Sequence, residues 1–171
     1  MLRMAGVCLV FAGITGALFA WMEANRIKIM MMEKVVLFIA HAAYRLETEK
    51  LSAGALFLAL SSEEKSLSGV LLMMCRQMES HTYPSAEKLW CIVWAPYMEA
   101  WHFSDEFAQL VRTSARGFFG VHLKENLALL QTVQAHMNVL IGKEKQEFAE
   151  KRQVFTPVCV LGGIMAVIIL W

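Results

Sequence analysis

The sequence predicts an all-α protein, a membrane-anchored antiparallel helical bundle with one transmembrane helix at its N-terminus and another at its C-terminus. Three observations predict it. Long uncharged apolar runs stand at both ends, at residues 4–22 and 154–171. Between them, apolar residues return at steps of three and four. That middle stretch carries just two prolines, Pro84 and Pro96, and no alternating apolar and polar run long enough for a strand.

The chain is 57% hydrophobic with mean hydropathy +0.47, above the roughly 45–50% of soluble domains, and the two ends hold most of the excess. At ~1.5 Å per residue such runs reach about 27–29 Å, close to the roughly 30 Å hydrocarbon core of a bilayer. Arg3 before the first run resembles the start of a cleaved signal peptide. However, the run is longer than a usual apolar region, Leu18-Phe19-Ala20 is no small-x-small cleavage site, and a helical pattern continues beyond it, so retention is expected. The second run is apolar on every face, which suits a span better than a core helix.

Orientation follows from the basic residues. Arg26, Lys28 and Lys34 follow the first run, and Lys143, Lys145, Lys151 and Arg152 precede the second, whereas Arg3 stands alone outside. Residues 23–153 are therefore expected on the cytosolic side, with both termini at the far face. Charges inside this segment cancel, so no nucleic-acid patch is indicated and no nucleic-acid partner is expected. Cys8 and Cys159 lie in the spans while Cys75 and Cys91 are isolated, so no disulfide framework is expected.

Continuing from the first span, Ile27, Met31, Val35, Phe38, Ala42 and Leu46 predict one long helix to about residue 50. A shorter helix follows at 53–60. Ser61-Ser62-Glu63-Glu64 holds a Ser-x-x-Glu capping box, expected to open a helix that buries Leu67, Val70, Leu71, Met74 and Met78 and breaks at residues 80–84. The next helix starts near Pro84 or Ser85 and carries an aromatic ridge, Trp90, Trp94, Tyr97 and Trp101, which Pro96 is expected to kink or restart. A partner surface and a bundle core are both open to this ridge; aromatic stripes at helical spacing usually pack inward, so core is expected, with Trp90 kept as a candidate partner contact. Ser104-Asp105-Glu106 caps a helix ending at Gly117 or Gly120. From His122, the stripe Leu123, Leu127, Leu130, Met137, Leu140 and Phe148 runs into the second span, predicting a helix that approaches fifty residues and pairs antiparallel with the first as a stalk.

Motifs for chemistry are missing. There is no Walker loop, no His-Glu-x-x-His and no Gly-x-Ser-x-Gly. His41, His81, His102, His122 and His136 are scattered, with no pair four residues apart for a local metal site. No catalytic residue, metal, cofactor or small-molecule substrate is assigned, and no intramembrane charge marks an ion path. The spans do carry small residues, Gly13 with Ala17, Gly16 with Ala20 and Gly162 with Ala166, spaced for close approach of another helix within the hairpin or in a second membrane subunit. Pro157 is expected to bend the second span or part it from the stalk.

The arrangement resembles the stage III sporulation protein AB family. The likeness is carried by Leu46-Glu47-Thr48-Glu49, by Ala55-Leu56-Phe57-Leu58-Ala59-Leu60, by Ser85-Ala86-Glu87-Lys88-Leu89-Trp90, by Phe119-Gly120, and by the final span from Val160-Leu161-Gly162-Gly163-Ile164 to Ile168-Ile169-Leu170. Departures fall at Lys50, Ser52, Val121-His122 and Asn126. The resemblance implies a structural subunit of a sporulation channel in the mother-cell membrane facing the forespore, similar to the inner-membrane platform protein of type II secretion. It also implies a secretion-type ATPase docked on the cytosolic bundle and other membrane subunits against the spans. Glu47 and Glu49, about 200° apart on a helix, cannot form one bidentate site. They are expected to pair with Lys50 and Arg45 on a solvated helix end, or to contact a partner. The reading from a different class is a small membrane sensor or enzyme whose site assembles from dispersed His and Glu residues.

Overall fold

The computed structural model describes residues 2–80 and 84–170, with the side chains at 2–5, 7–11, 156, 159, 160, 163 and 166–170 outside the described set. Among the described residues there are six helices and no strand: α1 Leu2–Thr48, α2 Ala53–Glu63, α3 Ser68–Glu79, α4 Ala86–Ala100, α5 Asp105–Phe119 and α6 Leu123–Leu170. They form two compact units, Met1–Ile29 with Gly142–Trp171, and Met30–Ile141.

Short polar punctuation sets the helices of the second unit. Ser52, Ser85 and Ser104 are extended N-cap residues whose hydroxyls accept from the backbone N–H groups of Ala55, Lys88 and Phe107, satisfying donors that a helix start leaves free. Pro96 sits inside α4 without ending it, on an exposed face where the backbone group it orphans can meet water. What ends α4 is a Schellman turn: Phe103 N–H bonds Met98 C=O and His102 N–H bonds Glu99 C=O, both at 3.0 Å, with His102 at φ 53°.

One expected start is corrected. The capping box at Ser61–Glu64 does not open α3. Ser61 is a buried residue of the last turns of α2, and its hydroxyl donates to Leu58 C=O at 2.7 Å instead of accepting from a helix start. Glu63 pairs with Arg45, and Glu64 faces Lys34 at 3.7 Å and His41 at 4.0 Å, so neither acid turns back as a cap. α3 begins at Ser68 after a tight turn in which Leu67 N–H bonds Glu64 C=O.

The core of this unit gathers on α1. Phe38 is fully buried, with its ring 5.8–6.3 Å from those of Phe57 on α2, Trp90 and Trp94 on α4, and Phe118 on α5. α6 closes the bundle through Leu130, Val133, Met137 and Ile141. Its approach to α5 is close: a Cβ on Gly117 would lie 2.5 Å from Leu130 Cγ and 2.6 Å from Leu130 Cδ2. Thus Gly117 serves as the seat of a leucine rather than as a helix stop, and α5 runs on to Phe119 with Gly120 as its C-cap.

In the first unit the two long helices run antiparallel. Trp21 stacks on Phe155 at 5.3 Å and also meets Phe148 at 5.6 Å, and Lys28 Nζ donates to Glu144 at 2.7 Å, so positions rise along α1 as they fall along α6. Among the described residues, no helix is long and apolar enough to cross a membrane. The spans expected at 4–22 and 154–171 lie partly outside the described residues, at the side chains named above. Pro157 falls inside α6, which continues past it to Leu170, so the break expected there does not form.

Candidate functional site

Trp90, the candidate partner contact, is a core residue. It has no exposed area, its indole Nε1 donates to Val111 C=O at 2.8 Å, and its rings meet those of Trp94 and Phe118, each at 5.1 Å. A side chain so enclosed offers a partner nothing to touch. The ridge it leads is core at Trp90 and Trp94, while Tyr97 and Trp101 pack partly buried against it.

Glu47 and Glu49 both lie exposed near the end of α1. The Glu49–Arg45 pair forms, at 3.9 Å. The expected Glu47–Lys50 pair does not: Lys50 has left the helix in the left-handed region, φ 49°, which turns the chain before a side-chain pair can close. Arg45 is shared with Glu63 of α2, a partner eighteen residues on that helical spacing could not indicate.

The small residues of the spans are exposed where described. Among the described residues, a Cβ on Gly13, Gly16 or Gly162 would meet nothing within 4 Å. Ala166 lies outside the described side chains. Among the described residues no three His, Cys, Asp or Glu gather where a metal could bind; His81 lies outside them.

One concave feature was not legible from the sequence. A groove of about 500 Å³ opens between the start of α2 and the end of α3. Ser52, Gly54 and Leu58 line it from α2, and Cys75, Met78 and Glu79 from α3. Leu58 is 57% exposed. The thiol of Cys75 lies 3.7 Å from Gly54 C=O, and burial, followed by the nearby Glu79 carboxylate, pushes its pKa up, so the thiol stays protonated and is a poor nucleophile at neutral pH. The sequence signal, an Ala-Gly-Ala helix start opposite a Cys-x-x-Met-Glu helix end, becomes visible once the hairpin is closed.

A family model described as stage III sporulation protein AB matches residues 3–171, nearly the whole chain. No curated protein and no solved structure matches it.

Proposed function

The chain belongs to the stage III sporulation protein AB family, and from that premise we propose that it is a membrane-bound platform subunit of a sporulation channel, docking a cytosolic ATPase through the unit Met30–Ile141. The observation that carries the membrane part is the surface of the first unit. Phe19, Val158, Leu161 and Met165 are 71%, 60%, 63% and 69% exposed, a density of large apolar side chains that water does not favour and that lipid tails or another span would cover. Charge begins where these residues stop, at Glu23 and Arg26 on α1 and at Arg152 on α6. The basic excess there supports a cytosolic position for the second unit.

The platform part is supported by the family's likeness to the secretion platform and by the build of the second unit. It encloses a continuous aromatic and aliphatic core of its own, and its helix surfaces are what a partner can read. Such a subunit works by holding others in register.

Membranes from sporulating cells test both parts. The full chain should resist carbonate extraction, dissolve in detergent, and bring the channel's ATPase with it on purification. Release by carbonate would overturn the membrane reading, and detergent complexes lacking the ATPase would overturn the platform reading.

A further inference from the structure

The outer face of α6 lacks the charge that its position calls for. In the second unit Ala128, Thr132, Ala135 and Val139 are exposed, and in the first unit Gly142, Gln146, Ala149 and Gln153 are. Steps of three and four place them on one stripe of the helix, opposite the side that buries Val133 and Met137. Such a side is where an amphipathic helix sets its charged residues, yet none of these eight is charged. Charge is not scarce nearby. Of the ten residues 143–152, the three without charge are Gln146, Phe148 and Ala149. Phe148 meets Trp21 of α1, and the other two stand on the stripe. Val139 is 70% exposed, and the hydroxyl of Thr132 is already bonded to Ala128 C=O at 2.9 Å. Gly142 weakens the helix, although a Cβ there would meet nothing within 4 Å among the described residues.

Register and charge identify what covers the stripe. It repeats as a heptad seam, with Ala128, Ala135, Gly142 and Ala149 at d and Thr132, Val139, Gln146 and Gln153 at a. The small d residues let a second backbone come close. We propose that this seam pairs α6 with α6 of a second copy of the chain, parallel and in register. The direction rests on the membrane part of the reading above: copies held in one membrane run α6 the same way, so a two-fold pair sets each seam residue against itself. Such a pair tolerates no charge on the seam, because like would meet like; a different partner imposes no such rule. The flanks are complementary too. Lys145 at g and Glu150 at e, five residues on, meet across a parallel pair, twice by symmetry. From Ala128 to Gln153 the seam is about 38 Å long and one helix, about 10 Å, wide, roughly 400 Å² per copy and about half of what a standard interface buries. A free partner would need more area, whereas a copy confined to the same membrane gains effective concentration instead.

Membranes carrying the full chain test this, with Cys8, Cys75, Cys91 and Cys159 replaced by alanine and single cysteines introduced. Under mild oxidation Ala135→Cys and Ala149→Cys should each link two chains through their own position, whereas Lys151→Cys, exposed on another side of α6, should not. Ala135→Glu, which sets two anions face to face, should lower the linked fraction of Ala149→Cys about tenfold or more. Lys145→Glu should lower it about threefold, and adding Glu150→Lys should restore it. Unchanged melting curves of the Ala135→Glu and Lys145→Glu chains in detergent show that the fold is retained. Linking at Lys151→Cys as strong as at Ala135→Cys means random collision, and mixed links between Ala128→Cys and Ala149→Cys chains mean antiparallel pairing; either overturns the proposal. The membrane reading fails separately. Carbonate release of a chain that still links at both positions overturns that reading and leaves the pair, while a chain kept in the membrane without these links, or linked to another protein instead, overturns the pair alone.

Discussion

Single glycines in this bundle carry opposite instructions, and the difference lies in what stands beside them. At Gly117 a methyl group would be driven into Leu130, a fully buried side chain whose own branch point is the near atom. Gly117→Ala is therefore expected to lower stability by about 1–2 kcal/mol, the cost of overpacking less the helix propensity gained. At Gly54 the same methyl enters open space, and Gly54→Ala should raise stability by up to about 1 kcal/mol. Urea midpoints of the two variants, at unchanged slope, check both signs. His102 makes a third case. It holds a left-handed conformation that a side chain disfavours by about 1 kcal/mol or more, so His102→Gly is expected to stabilise the turn that joins α4 to α5, seen as a rise in the melting temperature.

Helix starts are decided by small hydroxyls, and resemblance to a cap is not the same as being one. Ser104 and Ser61 both precede acidic residues, yet Ser104 accepts from Phe107 N–H while Ser61 donates to a carbonyl one turn behind it. Ser104→Ala should cost about 1 kcal/mol. Ser61→Ala should stay within about 0.5 kcal/mol, because no helix start depends on it and alanine suits the helix it occupies. Equal losses in thermal or denaturant unfolding would refute the reassignment. Between elements, Lys34, His41 and Arg45 on α1 face Glu63 and Glu64 at the end of α2. The Lys34–Glu64 and Arg45–Glu63 pairs tie the end of α2 to α1, and as partly exposed pairs they contribute about 0.2–1 kcal/mol each.

At the scale of the molecule, the buried hydrophobic side chains among the described residues run from Met31 to Ile141 and fall within one compact unit. That unit has a core of its own, built on Phe38 and its ring of aromatic neighbours. A fragment of residues 30–141 should therefore be soluble, helical and cooperative in unfolding; a broad transition with no pretransition baseline in circular dichroism would show that the core depends on the rest of the chain. The full chain should behave otherwise and need detergent, because the first unit displays large apolar side chains instead of enclosing them.

The sequence by itself determined the helical character, the limits of most elements and the family, since these rest on short-range signals: apolar spacing for α1 and α6, hydroxyl caps at Ser85 and Ser104, and motifs distributed from end to end. Local signals also misled. Ser61 carries a capping pattern, but burial and the long-range pairing of Glu63 and Glu64 override it. Only the tertiary structure decided which candidates a partner could reach. Trp90 went to the core because three other helices supply rings around it, whereas Leu58, Gly54 and Glu79 came together at one groove because α2 and α3 close on each other. Exposure and concavity belong to pairs of elements, and no periodicity within one helix encodes them.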